Sequence, residues 1–599
     1  MLCPHDKAKP TKMRRPDPYL AVALLKQELP LFNRPSSSAA VIAGVATTLM
    51  LAACAAPKPA EPPRLHELTI FAINDFHGNI QAESPVPQML RLTDPKTGQK
   101  VAQPAGGIAY LATALKTLRA AKPGSVLVAG GDFIGASPQL SSLLADEPSL
   151  AAFAELDVTA SALGNHELDA GFEEFRRKAA GQCPGSGCPW PGYKGVPFPF
   201  LAANLLDDKT GKPLLPAYVI KDMDGIRVAF VGAATIQTPA MSLAKNMKGL
   251  RFVDEADSLN ALVPELKAKG AKLLVAVMHE GTNYIGEANV PGYDCADMRG
   301  RGVDILQRLD PAYAMVIGAH SHRAYICKIG GRLLTQAGSF GGWVSEIDLK
   351  VDDAGRVLDA QGVNHPVLQS LYAPDPHFAA LAAKAAELTA GARTKPVATL
   401  KQSLRRTPSG QFGDAPLGNL ISDAQLAYAR KEGPADLAFI NLGGIRTDLN
   451  VTPSRPVTVS DLFSIQPFHN ELVVLTVNGA QLREVLQRGL PKAGVQQPRL
   501  MQPSYTLRYD WHRAADGSAQ LGAVSVDGKP LDPARDYRVV VNAFLSDGDE
   551  APFMAARDRT VIGIDLDALI DYLAEHPESV EQVQAGRIVQ QDYVPPPGK

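Results

Sequence analysis

Five short runs of the 599-residue chain gather side chains that bind metal and move protons. They are Asn74-Asp75-Phe76-His77-Gly78-Asn79, Gly130-Gly131-Asp132, Gly164-Asn165-His166-Glu167, His279-Glu280 and Gly318-Ala319-His320-Ser321-His322. Five of the chain's 12 histidines fall in them. Carboxylate, imidazole and amide oxygen form the ligand set of Mn, Zn, Co and Fe, and this mixture suits a pair of divalent ions bridged by one carboxylate. The two-residue steps Asp75-x-His77 and His320-x-His322 put both side chains on one face of a strand, or let them converge just past its end. One histidine at a strand end is ordinarily a polar cap, and an aspartate after two glycines ordinarily shapes a turn. Five such runs, each close behind an apolar strand, are hard to explain one at a time.

The elements that must carry these runs are apolar segments of strand length: Leu68–Ile73, Val126–Ala129, Thr159–Leu163, Val228–Val231, Leu273–Met278 and Met315–Ile317. Between several of them lie helical patterns, Ile108–Ala121 and Ser258–Lys269, with apolar residues recurring at three and four. The alternation predicts a mixed α/β sheet with function at the carboxyl ends of its buried strands. Near Pro366 the pattern changes. An alanine-rich helix over Phe378–Thr389, bounded by Asp375-Pro376 and Gly391, reads as a connector. A second body follows to about Tyr593, with elements at Leu472–Val477, Gln481–Arg488 and Tyr537–Asn542; the tail Pro595-Pro596-Pro597 is expected to fray.

Taken in order, D-x-H, G-D, G-N-H-E, H and G-H-x-H over residues 68–322 resemble the calcineurin-like metallophosphoesterases, and more closely the exported 5'-nucleotidase family with its UDP-sugar hydrolase members. The resemblance implies a four-layer α/β/β/α catalytic domain joined by a helix to a smaller α/β substrate-binding domain. It implies two divalent metal ions, drawn from Mn, Zn, Co and Fe. One would be held by Asp75, His77, the bridging Asp132 and His322, the other by Asp132, Asn165, His279 and His320. His166 would stabilise the transition state, and Asp169 would orient it. The chemistry expected is in-line attack of a metal-activated water on a phosphate ester.

The resemblance continues beyond the connector. Leu417-Gly418-Asn419-Leu420-Ile421-Ser422-Asp423-Ala424 and Asn441-Leu442-Gly443-Gly444-Ile445-Arg446 match two landmarks of the family's C-terminal domain. They imply Arg446 as the clamp on an anionic group and Asn441 as a nucleobase contact. Phe468 in Gln466-Pro467-Phe468-His469-Asn470 and Phe544 in Asn542-Ala543-Phe544-Leu545 would sandwich the base. Asp549, with Glu550 as the alternative, would bind ribose hydroxyls, although Asp547-Gly548-Asp549-Glu550 is one glycine short of the family's G-G-D. A further departure is Gln411 where relatives carry an arginine; Arg405 and Arg406 are near enough in sequence to compensate. The implied substrate is a nucleoside 5'-monophosphate, with UDP-sugars in second place. Alternatives are a 2',3'-cyclic-nucleotide phosphodiesterase with 3'-nucleotidase activity, the thiosulfate-esterase branch of sulfur oxidation, and a non-catalytic nucleotide-binding lipoprotein. The first is preferred because Gly164-Asn165-His166-Glu167-Leu168-Asp169 keeps the aspartate partner.

Composition fits a globular, multidomain chain: 45% hydrophobic and 20% charged residues are ordinary values. Sixty basic against 62 acidic residues leave a net charge of −2, which argues against a nucleic-acid polymer as partner. No protein partner is evident. Ala39–Ala53 is an apolar stretch too short to span a bilayer, and it ends in Leu51-Ala52-Ala53-Cys54. This resembles a bacterial lipobox, so residues 1–53 are expected to be a signal peptide and Cys54 a lipid anchor, with Met13 as a possible downstream start. The expected location is periplasmic or cell-surface. Residues 54–65 form a proline-rich tether, 66–370 the catalytic domain, 371–396 the linker helix and 397–594 the substrate domain. In an oxidising compartment thiols pair, and Cys183 with Cys188 across a turn leaves Cys295 for Cys327.

Overall fold

The computed structural model describes residues 64–591 apart from 83–87, 94–96, 243, 283–294, 296–297, 408–412, 469, 492–499, 547–552 and 554. The expected leader, the Cys54 anchor, Gln411, Asp549 with Glu550, and the proline tail lie outside the described residues. Two six-stranded sheets make the first half. The first runs in the order Val357–Pro366, Trp343–Val351, His66–Ile73, Val126–Ala129, Val158–Ala162, Phe200–Leu201. The second runs Ala324–Ile329, Arg332–Ala337, Tyr313–Ile317, Leu273–His279, Ile226–Ala234, Tyr218–Met223. The middle strands of each sheet are parallel, so their carboxyl ends lie at one edge.

Side chains alternate along His66–Ile73. Leu68, Ile70 and Ala72 enter a core shared with Val228, Phe230, Val275, Val277, Met315 and Ile317 of the other sheet. Phe71 and Ile73 face the opposite way, toward the helices Ile108–Ala120, Glu147–Ala154, Phe172–Ala179 and Pro376–Arg393. Strands buried on both faces read as unbroken apolar runs, which is why they stand out in the sequence. Glu255–Ala261, Val263–Ala268 and Arg301–Arg308 cover the second sheet. The layers are therefore α/β/β/α, as expected.

Helix Ile108–Ala120 buries Ile108, Leu111, Ala112 and Leu115, the apolar stripe of a 3.6-residue period. The connector helix is longer than its periodicity suggests. It spans Pro376–Arg393, started by Asp375, whose side chain accepts from the backbone N–H of His377 and Phe378, with Pro376 at the first helical position. The single helix expected over Ser258–Lys269 is instead two, Glu255–Ala261 and Val263–Ala268. Pro264 has no N–H to bond back to residue 260, and its ring crowds that carbonyl, so the helix restarts. Both disulfides form as expected, Cys183–Cys188 and Cys295–Cys327.

The second half contains a five-stranded sheet, ordered Met501–Pro503, Leu437–Asn441, Asp536–Asn542, Glu471–Asn478, Arg557–Ile564, and a four-stranded sheet, ordered Lys529–Pro530, Ala519–Val526, Leu507–Arg513, Ile588–Gln590. The L-G-N run lies on helix Pro416–Glu432 and is structural. Asn419 donates to Asp414 and to the Gln584 carbonyl, and Asp423 forms a buried two-pronged ion pair with Arg587. Strand Arg557–Ile564 packs against the turn Thr238–Ala240 of the first half. Among the described residues no helix is long and apolar enough to cross a membrane.

Candidate metal centre and catalytic pair

All seven residues expected as metal ligands meet at the shared edge of the two sheets. Strand His66–Ile73 leads into Asp75 and His77, Val126–Ala129 into Asp132, and Val158–Ala162 into Asn165. From the second sheet, Leu273–His279 ends in His279, and Tyr313–Ile317 leads into His320 and His322. Ligand atoms of Asp75, His77 and His322 lie within 4.8 Å of one another, as do those of Asp132, His279 and His320. Asp132 joins the two groups: its Oδ2 is 3.1 Å from His279 Nε2 and 3.6 Å from His77 Nε2.

The backbone there is unusual. Asp75, His77, Asp132, His320 and His322 have φ of 50°, 47°, 55°, 70° and 55°, the left-handed region that side chains rarely adopt. Such turns cost free energy and persist where the surroundings enforce them, typically at functional sites. Here Asn74 Nδ2–H donates to Asp75 Oδ2 (2.6 Å), and the His320 backbone N–H donates to both Asp75 oxygens (3.1 and 2.9 Å). Gly164 leaves room for Asp132, since a Cβ there would run into its carboxylate. Glu167, which the sequence reading gave no role, accepts the backbone N–H of Asp132 (2.9 Å), Phe133 (2.7 Å) and Gly164 (2.7 Å).

The donor set fits cations. His77 Nδ1–H donates to the Gly135 carbonyl (2.9 Å) and His279 Nδ1–H to the Gly130 carbonyl (2.8 Å), so each ring turns Nε2 into the centre. There His77 Nε2 faces His322 Nε2 at 3.0 Å, and His279 Nε2 faces Asn165 Oδ1 at 3.0 Å. His77, held neutral by burial, thus offers its Nε2 lone pair to the centre, where the gathered nitrogen and oxygen atoms suit a cation. Burial pushes the Asp75 carboxyl up to about 7. Burial would raise Asp132 also, but His279, His166 and His77 together hold it below the usual range. Burial opposes charge on His279, yet the Asp132 and Asp75 carboxylates outweigh it and raise the group to about 9. Burial lowers His77 and His320 to about 4 each, and lowers His322 well below its usual value.

Beside this centre His166 Nδ1–H donates to Asp169 Oδ2 at 2.9 Å, and its ring lies 5.0 Å from that of His77. Burial disfavours the imidazolium, but Asp169 and Asp132 overcome this and hold it well above the ordinary histidine range. A further carboxylate, Glu471 of the second half, lies within 4.8 Å of this pair. Sequence reasoning missed it, because a lone glutamate opening a strand carries no motif.

Of the expected substrate residues, Arg446 and Phe468 come together, the guanidinium carbon 5.6 Å from the ring centre. Phe468 is 43% exposed and Phe544 68% exposed. Among the described residues no ring-stacking or cation–π contact joins Phe544 to either of the other two. Asn441 Oδ1 accepts from Asn542 Nδ2 (3.1 Å), which links two neighbouring strand ends.

Residues 68–324 match the family described as calcineurin-like phosphoesterase, and residues 396–557 match the 5'-nucleotidase C-terminal domain. The 5'-nucleotidase of Vibrio cholerae serotype O1 is 26% identical over 611 residues, covering 92% of this chain and 98% of that protein. Endonuclease YhcR of Bacillus subtilis is 29% identical over 530 residues, 87% of this chain, and the match spans only 41% of that longer protein. The solved 5'-nucleotidase precursor of Thermus thermophilus shares the fold, with a TM-score of 0.56 and 24% identity over 88% of this chain and 100% of that one. With both domain matches in the same order on one polypeptide, the chain belongs to the calcineurin-like phosphoesterases that carry a 5'-nucleotidase C-terminal domain.

Proposed function

We propose that this chain is an exported di-metal phosphohydrolase that splits nucleoside 5'-monophosphates into nucleoside and phosphate, with UDP-sugars as further substrates. The observation that carries the reading is that Asp132 serves two donor clusters directly beside the His166–Asp169 pair. Asp75, His77, Asp132 and His322 would hold one divalent ion, and Asp132, Asn165, His279 and His320 the other. When bound, two such ions neutralise phosphoryl oxygens and lower the pKa of a water.

The chain's own groups supply the rest. Asp169 orients His166 through Nδ1–H and, with Asp132, favours its imidazolium, so that Nε2–H donates to charge developing on the phosphoryl group or its leaving oxygen. A P–O bond forms to the oxygen of water, the bond to the nucleoside 5' oxygen breaks, and the water's proton ends on the nucleoside hydroxyl. Arg446 is assigned to the substrate's anionic end, Phe468 and Phe544 to the base, Asn441 to a base edge and Asp549 to the ribose. Two large rings left this exposed gain little from packing, which supports a stacking role. Residues 66–370 would act as the catalytic half, 371–396 as the linker and 397–594 as the substrate half. Two disulfides support export, and Cys54 is assigned as the lipid anchor.

The test is a phosphate-release panel on protein starting after Cys54, loaded with Mn or Co, with metal analysis of the same sample. AMP, UDP-glucose, 2',3'-cyclic AMP, 3'-AMP and single-stranded DNA form its arms. Two ions per chain and fastest release from AMP are expected. Turnover confined to the cyclic or polymeric substrates, or tight AMP binding without turnover, would overturn the proposal.

A further inference from the structure

Glu471 opens the strand Glu471–Asn478 in the second half, yet its carboxylate points into the first. It is 9% exposed, and a carboxylate oxygen lies within 4.8 Å of ligand atoms of both His166 and Asp169. Among the described residues no hydrogen bond within its own half satisfies that carboxylate. From its own half Arg559 faces it electrostatically, and from the first half His166 does so. Burying a carboxylate costs several kcal/mol, so packing alone does not explain its place beside the catalytic pair.

Its placement is firm. The preceding Asn470 is clamped to Asp565, through its Nδ2–H to Oδ2 (3.0 Å) and through the Asp565 N–H to its carbonyl (2.9 Å). Glu471 itself pairs in register with Ile564, and that strand packs against the turn Thr238–Ala240 of the first half. Phe468, the proposed base platform, lies three residues earlier on the same chain. One short segment therefore carries both a candidate substrate seat and a carboxylate aimed at the catalytic pair.

We propose that Glu471 is a positioning residue supplied by the substrate half, which holds the His166 ring in its working orientation and so completes the catalytic pair only when the two halves are docked. The inference rests on the reading of His166 as the group acting on the phosphoryl transfer. Burial raises the Glu471 carboxyl, His166 and Arg559 draw it back, and Asp169 and Asp132 raise it further, so the group lies in the electrostatic field of the catalytic pair.

The experiment compares Glu471→Gln, Glu471→Asp, His166→Ala and the double variant Glu471→Gln/His166→Ala in the full chain, on AMP, with metal content measured throughout. In Glu471→Gln, kcat should fall by roughly 10- to 100-fold, as expected for a misplaced catalytic group, with KM within about threefold and metal content unchanged. Glu471→Asp should recover part of the loss, which also serves should the glutamine variant fold poorly. The double variant should be no slower than His166→Ala alone, because coupled residues are not additive. Unchanged kcat, a rise in kcat, or an effect confined to KM would overturn the inference. If His166→Ala itself turned over normally, the reading of the pair would fail first, and the two failures are thereby distinct.

Discussion

Glu167 uses one carboxylate to hold three backbone N–H groups, those of Asp132, Phe133 and Gly164, and so ties together two of the loops that deliver candidate metal ligands. A glutamine there keeps the shape but replaces one acceptor oxygen with an NH2 group facing N–H donors. Each buried N–H left unpaired costs about 1–3 kcal/mol. Glu167→Gln is therefore expected to lose about 2 kcal/mol or more in chemical denaturation and to bind metal more weakly, although it touches neither ion site itself. Wild-type metal content in that variant would contradict the account. At this scale the meeting of the seven candidate ligands was legible because each lies at the end of an apolar strand or within five residues beyond it. Glu167 was visible inside Gly164-Asn165-His166-Glu167, but its work is with backbone groups, which a motif does not reveal. Glu471 was illegible: more than 300 residues separate it from His166, and only the docking of the halves brings them together.

Elements were legible where one periodicity dominated, and less so where a local covalent fact overrode it. The strands expected from the apolar runs were found to within three residues at each end, since burial on both faces leaves no polar interruption. The helix expected over Ser258–Lys269 kept its apolar spacing, and one proline divided it. The start of helix Asp565–Glu575 carries a different cost. Asp565 is buried, its Oδ1 has no hydrogen-bond partner among the described residues, and burial pushes its carboxyl up to about 7. A raised carboxyl contributes its full stability below the unfolded value of about 3.8, and that contribution is lost as pH rises through about 7. Asp565→Asn, which can keep the contact with Asn470, should thus gain stability relative to wild type as pH climbs from 4 to 7, with the gain levelling off above. Thermal melts across that range check it, and a stability difference that does not grow with pH would count against a buried, proton-holding Asp565.

Across the whole molecule, the candidate ion sites draw from both sheets: Asp75, His77, Asp132 and Asn165 from one, His279, His320 and His322 from the other. Bound ions would therefore act as a clasp between two layers whose interior contact is otherwise apolar. A ligand present at 100 times its dissociation constant stabilises by about 2.7 kcal/mol, so stripping two such ions should remove about 5 kcal/mol. Protons offset part of this, because Asp75 is pushed up to about 7 and His279 to about 9 and each can hold one in place of an ion. The loss should also be local. On chelation, amide exchange should quicken at the carboxyl ends of His66–Ile73, Val126–Ala129, Leu273–His279 and Tyr313–Ile317, and stay as it was in Leu437–Asn441 and Asp536–Asn542 of the second half. If chelation left the melting midpoint and the first half's exchange unchanged, the apolar seam alone would hold the sheets together. If it loosened both halves equally, the ions would be acting through the docking of the halves rather than between the sheets.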